Sequence, residues 1–170
     1  WATGTGVNGF YAVTAVDTDT TGVKITINLP FVAGLGTPTV AVANTVVTLA
    51  SVTVPGSSMG VGGVMFVEAL FSMTNSAVAK NLGMSFGGGA LLTVAATSNA
   101  SVDVQKILYN RGASQIVGSA AGATGHGLST GAVVSLSVDA TANQVFAITA
   151  QPATANNVVR LETFQLSIQF

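Results

Sequence analysis

Apolar and polar side chains alternate one by one along much of this chain, the period of a strand with one face buried. Val23, Ile25, Ile27 and Leu29 take turns with Lys24, Thr26 and Asn28. Ahead of them Phe10 to Val16, FYAVTAV, reads as another strand, and Asp17-Thr18-Asp19-Thr20-Thr21-Gly22 is turn chemistry that joins the two into a hairpin. Pro30 closes that unit. A glycine-punctuated connection from Phe31 to Thr37 leads to a short strand at Thr39 to Ala43, broken by Asn44, and then to a Thr/Val-rich strand from Thr45 to Val54. Further strands are expected where Leu82, Met84 and Phe86 alternate with Asn81, Gly83 and Ser85, and over Ala90–Ala96, Ser114–Val117, Ala132–Asp139 and Gln144–Thr149. Gly87-Gly88-Gly89 marks a tight reversal.

Gly60 to Ser72, GVGGVMFVEALFS, breaks the one-sided rule. Its odd positions carry Val61, Met65, Val67, Ala69 and Phe71, and its even positions carry Val64, Phe66, Glu68 and Leu70. A strand apolar on both sides must be covered on both sides. It is therefore expected at the centre of a sheet whose second face is covered by another sheet or another subunit, with Glu68 held by a cation from elsewhere.

Register is expected to change in two places. Val102, Val104 and Leu108 share a side with Lys106 while Ile107 and Tyr109 fall opposite, which suggests a bulge near Lys106. At the end of the chain Phe164, Leu166, Ile168 and Phe170 oppose Thr163, Gln165, Ser167 and Gln169, but the apolar side flips at Val159 and Leu161. A bulge or a change of environment belongs near Glu162. Gly118 to Gly131, GSAAGATGHGLSTG, is a long low-complexity loop of the kind that is functional or mobile. Met73 to Asn81 is the only plausible helical turn.

These signals predict an all-β fold, an antiparallel two-sheet sandwich of jelly-roll type with roughly eight strands after residue 44, plus an additional N-terminal β-hairpin. The composition change at residues 30–44 divides the chain into an N-terminal β segment or connector, 1–44, and a jelly-roll domain, 45–170.

Composition then bears on assembly. The 170 residues are 49% apolar and only 6% charged, against about 25% charged in ordinary soluble domains, and the mean hydropathy is +0.63. Lys and Arg total five and Asp and Glu six, too few for a comfortably monomeric surface. Burial against copies of itself, or a cover of Ser, Thr, Asn and Gly, is the expected resolution. A net charge of −1 without a basic cluster argues against nucleic acid. The absence of cysteine removes disulfides and thiolate sites. The opening WATGTGVNGFY has neither the basic head nor the apolar core of a signal peptide, and a start at Trp1 reads as a fragment or processed product. No apolar run of helical membrane-spanning length occurs.

The order TLASVTVPGSSMGVGGVMFVEALFSMTNSAVAKNLGMSFGG, then ILYNRGASQ, then RLETFQLSIQF resembles the C-terminal jelly-roll domains of phage tail fibres, tailspikes and related virion proteins. The resemblance covers about residues 45 to 170 and is a pattern of turns, without a catalytic signature. It implies a homotrimeric structural protein of the virion whose partners are itself, other virion proteins and a host surface glycan. Closed symmetric assembly would also bury the uncharged surface.

Candidate chemistry is sparse. Asp17-x-Asp19 with Gly22 echoes the opening of a calcium loop, but the later bidentate acid is missing and an Asx-type turn is the plainer reading. His126, the only histidine, could meet its copies around an axis and bind a transition metal, against the plainer reading of an exposed loop residue. Glu68, Lys106, Arg111, Arg160 and Glu162 form either a carbohydrate-contacting or interface set or a few structural ion pairs. Trp1, Tyr11 and Tyr109 could stack on sugars. No nucleophile and base pair can be assigned, so no catalytic, cofactor-binding or metal residue is named. Three functions compete: a virion structural module, a carbohydrate-binding or glycan-degrading module on the same fold, and an outer-membrane β-barrel suggested by the terminal Phe170.

Overall fold

A computed structural model describes residues 13–17, 24–27, 39–40, 44–112, 115–125 and 128–169. These residues form strands and no helix: β1 (Val13–Asp17), β2 (Lys24–Ile27), β3 (Thr39–Val40), β4 (Val47–Val54), β5 (Val64–Met73), β6 (Lys80–Phe86), β7 (Gly89–Ala96), β8 (Ser101–Gly112), β9 (Gln115–Gly118), β10 (Val134–Leu136), β11 (Gln144–Pro152) and β12 (Val159–Gln169). The larger sheet has the order β1-β2-β12-β5-β8-β9-β10, with β3 also paired to β12, and the smaller sheet has the order β4-β11-β6-β7. Every pairing is antiparallel. The chain passes back and forth between the two sheets, as in a jelly roll. Among the described residues both sheets keep free ends and do not close into a barrel, which speaks against the barrel alternative.

The N-terminal hairpin is present, with Val16 opposite Ile25 and Asp17 opposite Lys24. Its second strand joins the larger sheet, where Ile25 lies opposite Ile168 and Ile27 opposite Leu166.

Period-two alternation places one side of each strand between the sheets. Met65, Val67, Ala69 and Phe71 of β5 meet Leu82, Met84 and Phe86 of β6, Phe146 and Ile148 of β11, and Leu161 and Leu166 of β12 in one buried cluster. Each large side chain removed from water there contributes about 2 kcal/mol. Strand β7 needs one adjustment to serve this core. A register shift in its pairing with β6, where Met84 faces Leu92 and Ser85 faces Ala90, leaves Leu91 as the extra residue. Leu91 and Leu92 are consequently both buried.

The reversal between β6 and β7 is carried by Gly87 and Gly88, at φ +55 and +80. That geometry lies in the left-handed region that glycine enters without a Cβ penalty.

Two expectations are corrected. Residues 74–79 form bends and no helical turn. Lys80, fully buried, donates from Nζ to the carbonyls of Thr74 at 3.0 Å and Ser76 at 2.9 Å, so the lysine gathers the carbonyls that a helix would use. There is also no bulge at Lys106. The pairing of β5 with β8 runs unbroken from Val64 opposite Tyr109 to Ser72 opposite Ser101, and Lys106 simply takes a core position beside Val104 and Leu108. The expected irregularity near Glu162 is found: the pairing of β12 with β5 shifts between Leu161 and Thr163.

Candidate functional site

The side of the larger sheet that faces away from the core is laid out in rows across β12, β5 and β8. Gln169, Val64 and Tyr109 form one row, followed by Ser167, Phe66 and Ile107, then Gln165, Glu68 and Gln105, then Thr163, Leu70 and Asp103. These are the alternate positions to the buried ones, so the strand period that builds the core also builds this face. Leu70 remains 38% exposed and Tyr109 47%. The second apolar side of β5 is therefore not sealed by the other sheet.

Glu68 sits exposed in the middle of the face, and the group that meets it is the Gln105 amide, 3.4 Å from Nε2 to Oε1. Among the described residues no cation of this chain meets it. Lys106, next to Gln105 in sequence, points to the opposite side, is 2% exposed, and donates from Nζ to the carbonyl of Ala120 at 2.7 Å. Burial lowers its pKa from the ordinary lysine value. A shallow depression of about 230 Å³ lies over Phe66, Glu68, Gln105, Gln165 and Ser167.

Two of the register shifts on this sheet, in β12 and in β8, each isolate a charged residue. Glu162 is the extra residue in β12 and accepts a hydrogen bond from the Ser72 hydroxyl. Arg111 is the extra residue in β8, where the pairing with β9 shifts between Asn110 and Gly112. Bulges re-aim side chains in this way. Glu162 is thereby tied back to the sheet, whereas Arg111 is exposed and meets no described acceptor.

Arg111 opens onto a cleft of about 600 Å³ at the end of the sheet, lined also by Val61, Gly62, Tyr109 and Asn110. The walls are fixed by Asn110, only 3% exposed, whose Nδ2 donates to the carbonyls of Met59 at 2.6 Å and Gly60 at 3.2 Å. The backbone adds Gly62 N to Asn110 O at 2.7 Å and Asn110 N to Gly63 O at 2.9 Å. The Gly-rich hinge before β5 is thus clamped to the end of β8. Val61 projects from it, 78% exposed.

Of the residues singled out in the sequence, Glu68 and Arg111 lie on or beside this face, Lys106 is buried beneath it, and Arg160 lies in the row of Ser72 and Ser101 and is engaged. Trp1, Tyr11, Asp19, His126 and the side chain of Asp17 lie outside the described residues. Among the described residues no three His, Cys, Asp or Glu side chains gather where a metal ion could bind, and no helix is long and apolar enough to cross a membrane. Asn110 was missed as a site residue because a lone Asn before Arg-Gly reads as a turn. Compared with models of known protein families and with curated proteins, the chain matches none.

Proposed function

We propose that this chain is a non-enzymatic structural protein of a virion, a homotrimeric fibre, spike or capsid-decoration module that presents itself to the host surface. The observation that carries the reading is the outward side of β5 and its neighbours, where Val64, Phe66, Leu70 and Ile107 stand with only two acids among them, Glu68 and Asp103. An apolar sheet face of this kind is a surface for association, and a second copy of the same chain offers the matching uncharged surface.

The scarcity of charge supports the same reading. Two of the five cationic residues, Lys80 and Lys106, are buried inside the protein, so even fewer than the composition suggests remain to solvate the outside. A closed ring of copies removes the apolar face from water without leaving an open end for further growth. The turn pattern after residue 44, with its likeness to tail-fibre and tailspike domains, fits a virion setting.

The test is immunogold electron microscopy of phage-containing lysates with antibodies raised against the purified chain. Label at a fixed place on intact particles, on tail or shell, is the expected result. Label confined to cell debris, with clean particles in the same field, contradicts the virion assignment.

A further inference from the structure

The cleft at the end of the larger sheet combines three features that the described residues bring together nowhere else. The first is a guanidinium with no described acceptor. Of the other cationic residues, Lys80 and Lys106 are buried and hydrogen-bonded and Arg160 is engaged, while the side chain of Lys24 is not among the described ones. The β8 bulge holds Arg111 out from the sheet at the cleft. The second is an aromatic platform: Tyr109 is two residues before Arg111 and 47% exposed. The third is a wall that is apolar and low. Val61 forms the lip, and Gly62, at φ +86, has open space where a side chain would stand.

We propose that the cleft formed by Val61, Gly62, Tyr109 and Arg111 binds a carboxylate-bearing sugar, a uronic or sialic acid unit of a surface polysaccharide. The planar guanidinium offers paired N–H donors that match a carboxylate. The exposed tyrosine ring accepts the apolar face of a pyranose, and its hydroxyl is free to bond a ring substituent. A neutral sugar would leave the guanidinium without its anion, and an inorganic anion would leave the ring and Val61 unused. The clamp of Asn110 on Met59 and Gly60 holds the hinge in place before the ligand arrives, which reduces the ordering cost of binding. The inference extends the host-facing role proposed above but does not need the trimer.

The experiment is isothermal titration of the whole chain with two matched pairs, cellobiouronic acid against cellobiose and 3′-sialyllactose against lactose. Saturable binding of at least one acid over its neutral partner is expected, and the pair that responds tells uronate from sialate. Arg111→Gln and Tyr109→Ala are each expected to weaken it about tenfold, the size of one lost charge-assisted contact. Circular dichroism and oligomer mass of both variants are expected to match the parent. The inference is overturned by the absence of saturable binding to either acid, by equal binding of acid and neutral sugar, or by variants that bind as the parent does. N-acetylphenylalanine binding more tightly than both acids would assign the cleft to peptide carboxylates and equally overturn it. A single-chain mass in samples that bind the acid would remove the trimer and leave this inference standing.

Discussion

The ammonium group of Lys106 donates a 2.7 Å hydrogen bond to the backbone carbonyl of Ala120, so a core strand holds the start of the long Gly/Ala-rich loop. The contact places a titratable group where water barely reaches it. In the unfolded chain the amine has its ordinary value of 10.5, and in the folded chain burial lowers it. Between the lowered value and 10.5 the unfolded state therefore holds more protons than the native state, and stability rises with pH across that window. Lys106→Met removes this titration. Urea denaturation is expected to show the parent gaining stability relative to Lys106→Met as pH climbs through the alkaline range towards 10.5. Parallel profiles for the two proteins would show that the amine is not desolvated in solution.

Asn110 predicts a second outcome. Its amide satisfies the carbonyls of Met59 and Gly60, and its Oδ1 accepts from the N–H of Gly112 at 3.1 Å. Asn110→Ala takes the buried Met59 carbonyl's partner away, while Gly60 O keeps its bond from Gly63 N–H, at a cost of about 1 to 3 kcal/mol. Amide exchange should quicken at Gly62, whose N–H donates to the carbonyl of residue 110, and at residue 110 itself, whose N–H donates to the Gly63 carbonyl. A urea midpoint unchanged from the parent would contradict it.

The β6–β7 turn separates backbone strain from collision. A Cβ at Gly88 meets nothing within 4 Å, whereas one at Gly87 lies 2.6 Å from Val138 Cγ1 and 2.8 Å from Gln144 Oε1. Gly88→Ala therefore carries the left-handed backbone penalty alone, about 1 kcal/mol. Gly87→Ala adds the displacement of Val138 and is expected to cost about 1 to 3 kcal/mol more. Thermal denaturation that ranks the two variants in the opposite order would count against this turn geometry.

On the open face, Phe66→Glu and Leu70→Lys place charge in the rows on either side of Glu68. In a single chain such outward substitutions change stability by about 0.5 kcal/mol or less, so the fold should persist. If copies meet through this face, each variant should lower the mass in solution while its β-sheet circular dichroism stays that of the parent. Variants that assemble as the parent does would move the interface elsewhere.

Much of the fold was legible because a half-buried strand writes its period into the residues. The hairpin at Val13–Ile27, the turn at Gly87-Gly88 and the flip near Glu162 all come from local chemistry that a sequence exposes directly. The bulge expected near Lys106 came from apolar Ile107 and Tyr109 on one side and a charge among the core residues on the other. The acceptor at Ala120 that lets the lysine stay inside lies fourteen residues away in a loop without periodicity. Residues 74–79 misled the reading for a related reason. Short polar and small residues suit a helical turn by composition, but Lys80 ties the loop from a neighbouring strand.

The site was less legible than the fold. Glu68 and Arg111 stood out as charges in a nearly uncharged chain, yet nothing in the residue order told which one finds a partner. That depends on which strands become neighbours: β8 brings Gln105 to Glu68, and the shift against β9 leaves Arg111 over the cleft. The role of Asn110 likewise requires residues 59 and 60 to come close, a contact across fifty positions.

Sedimentation equilibrium at micromolar concentration tests the self-association account most directly. The prediction is a single species of about three times the 16.9 kDa chain mass, unchanged on dilution. A species of one chain mass throughout, with the outward residues of β5 remaining in water, would contradict it.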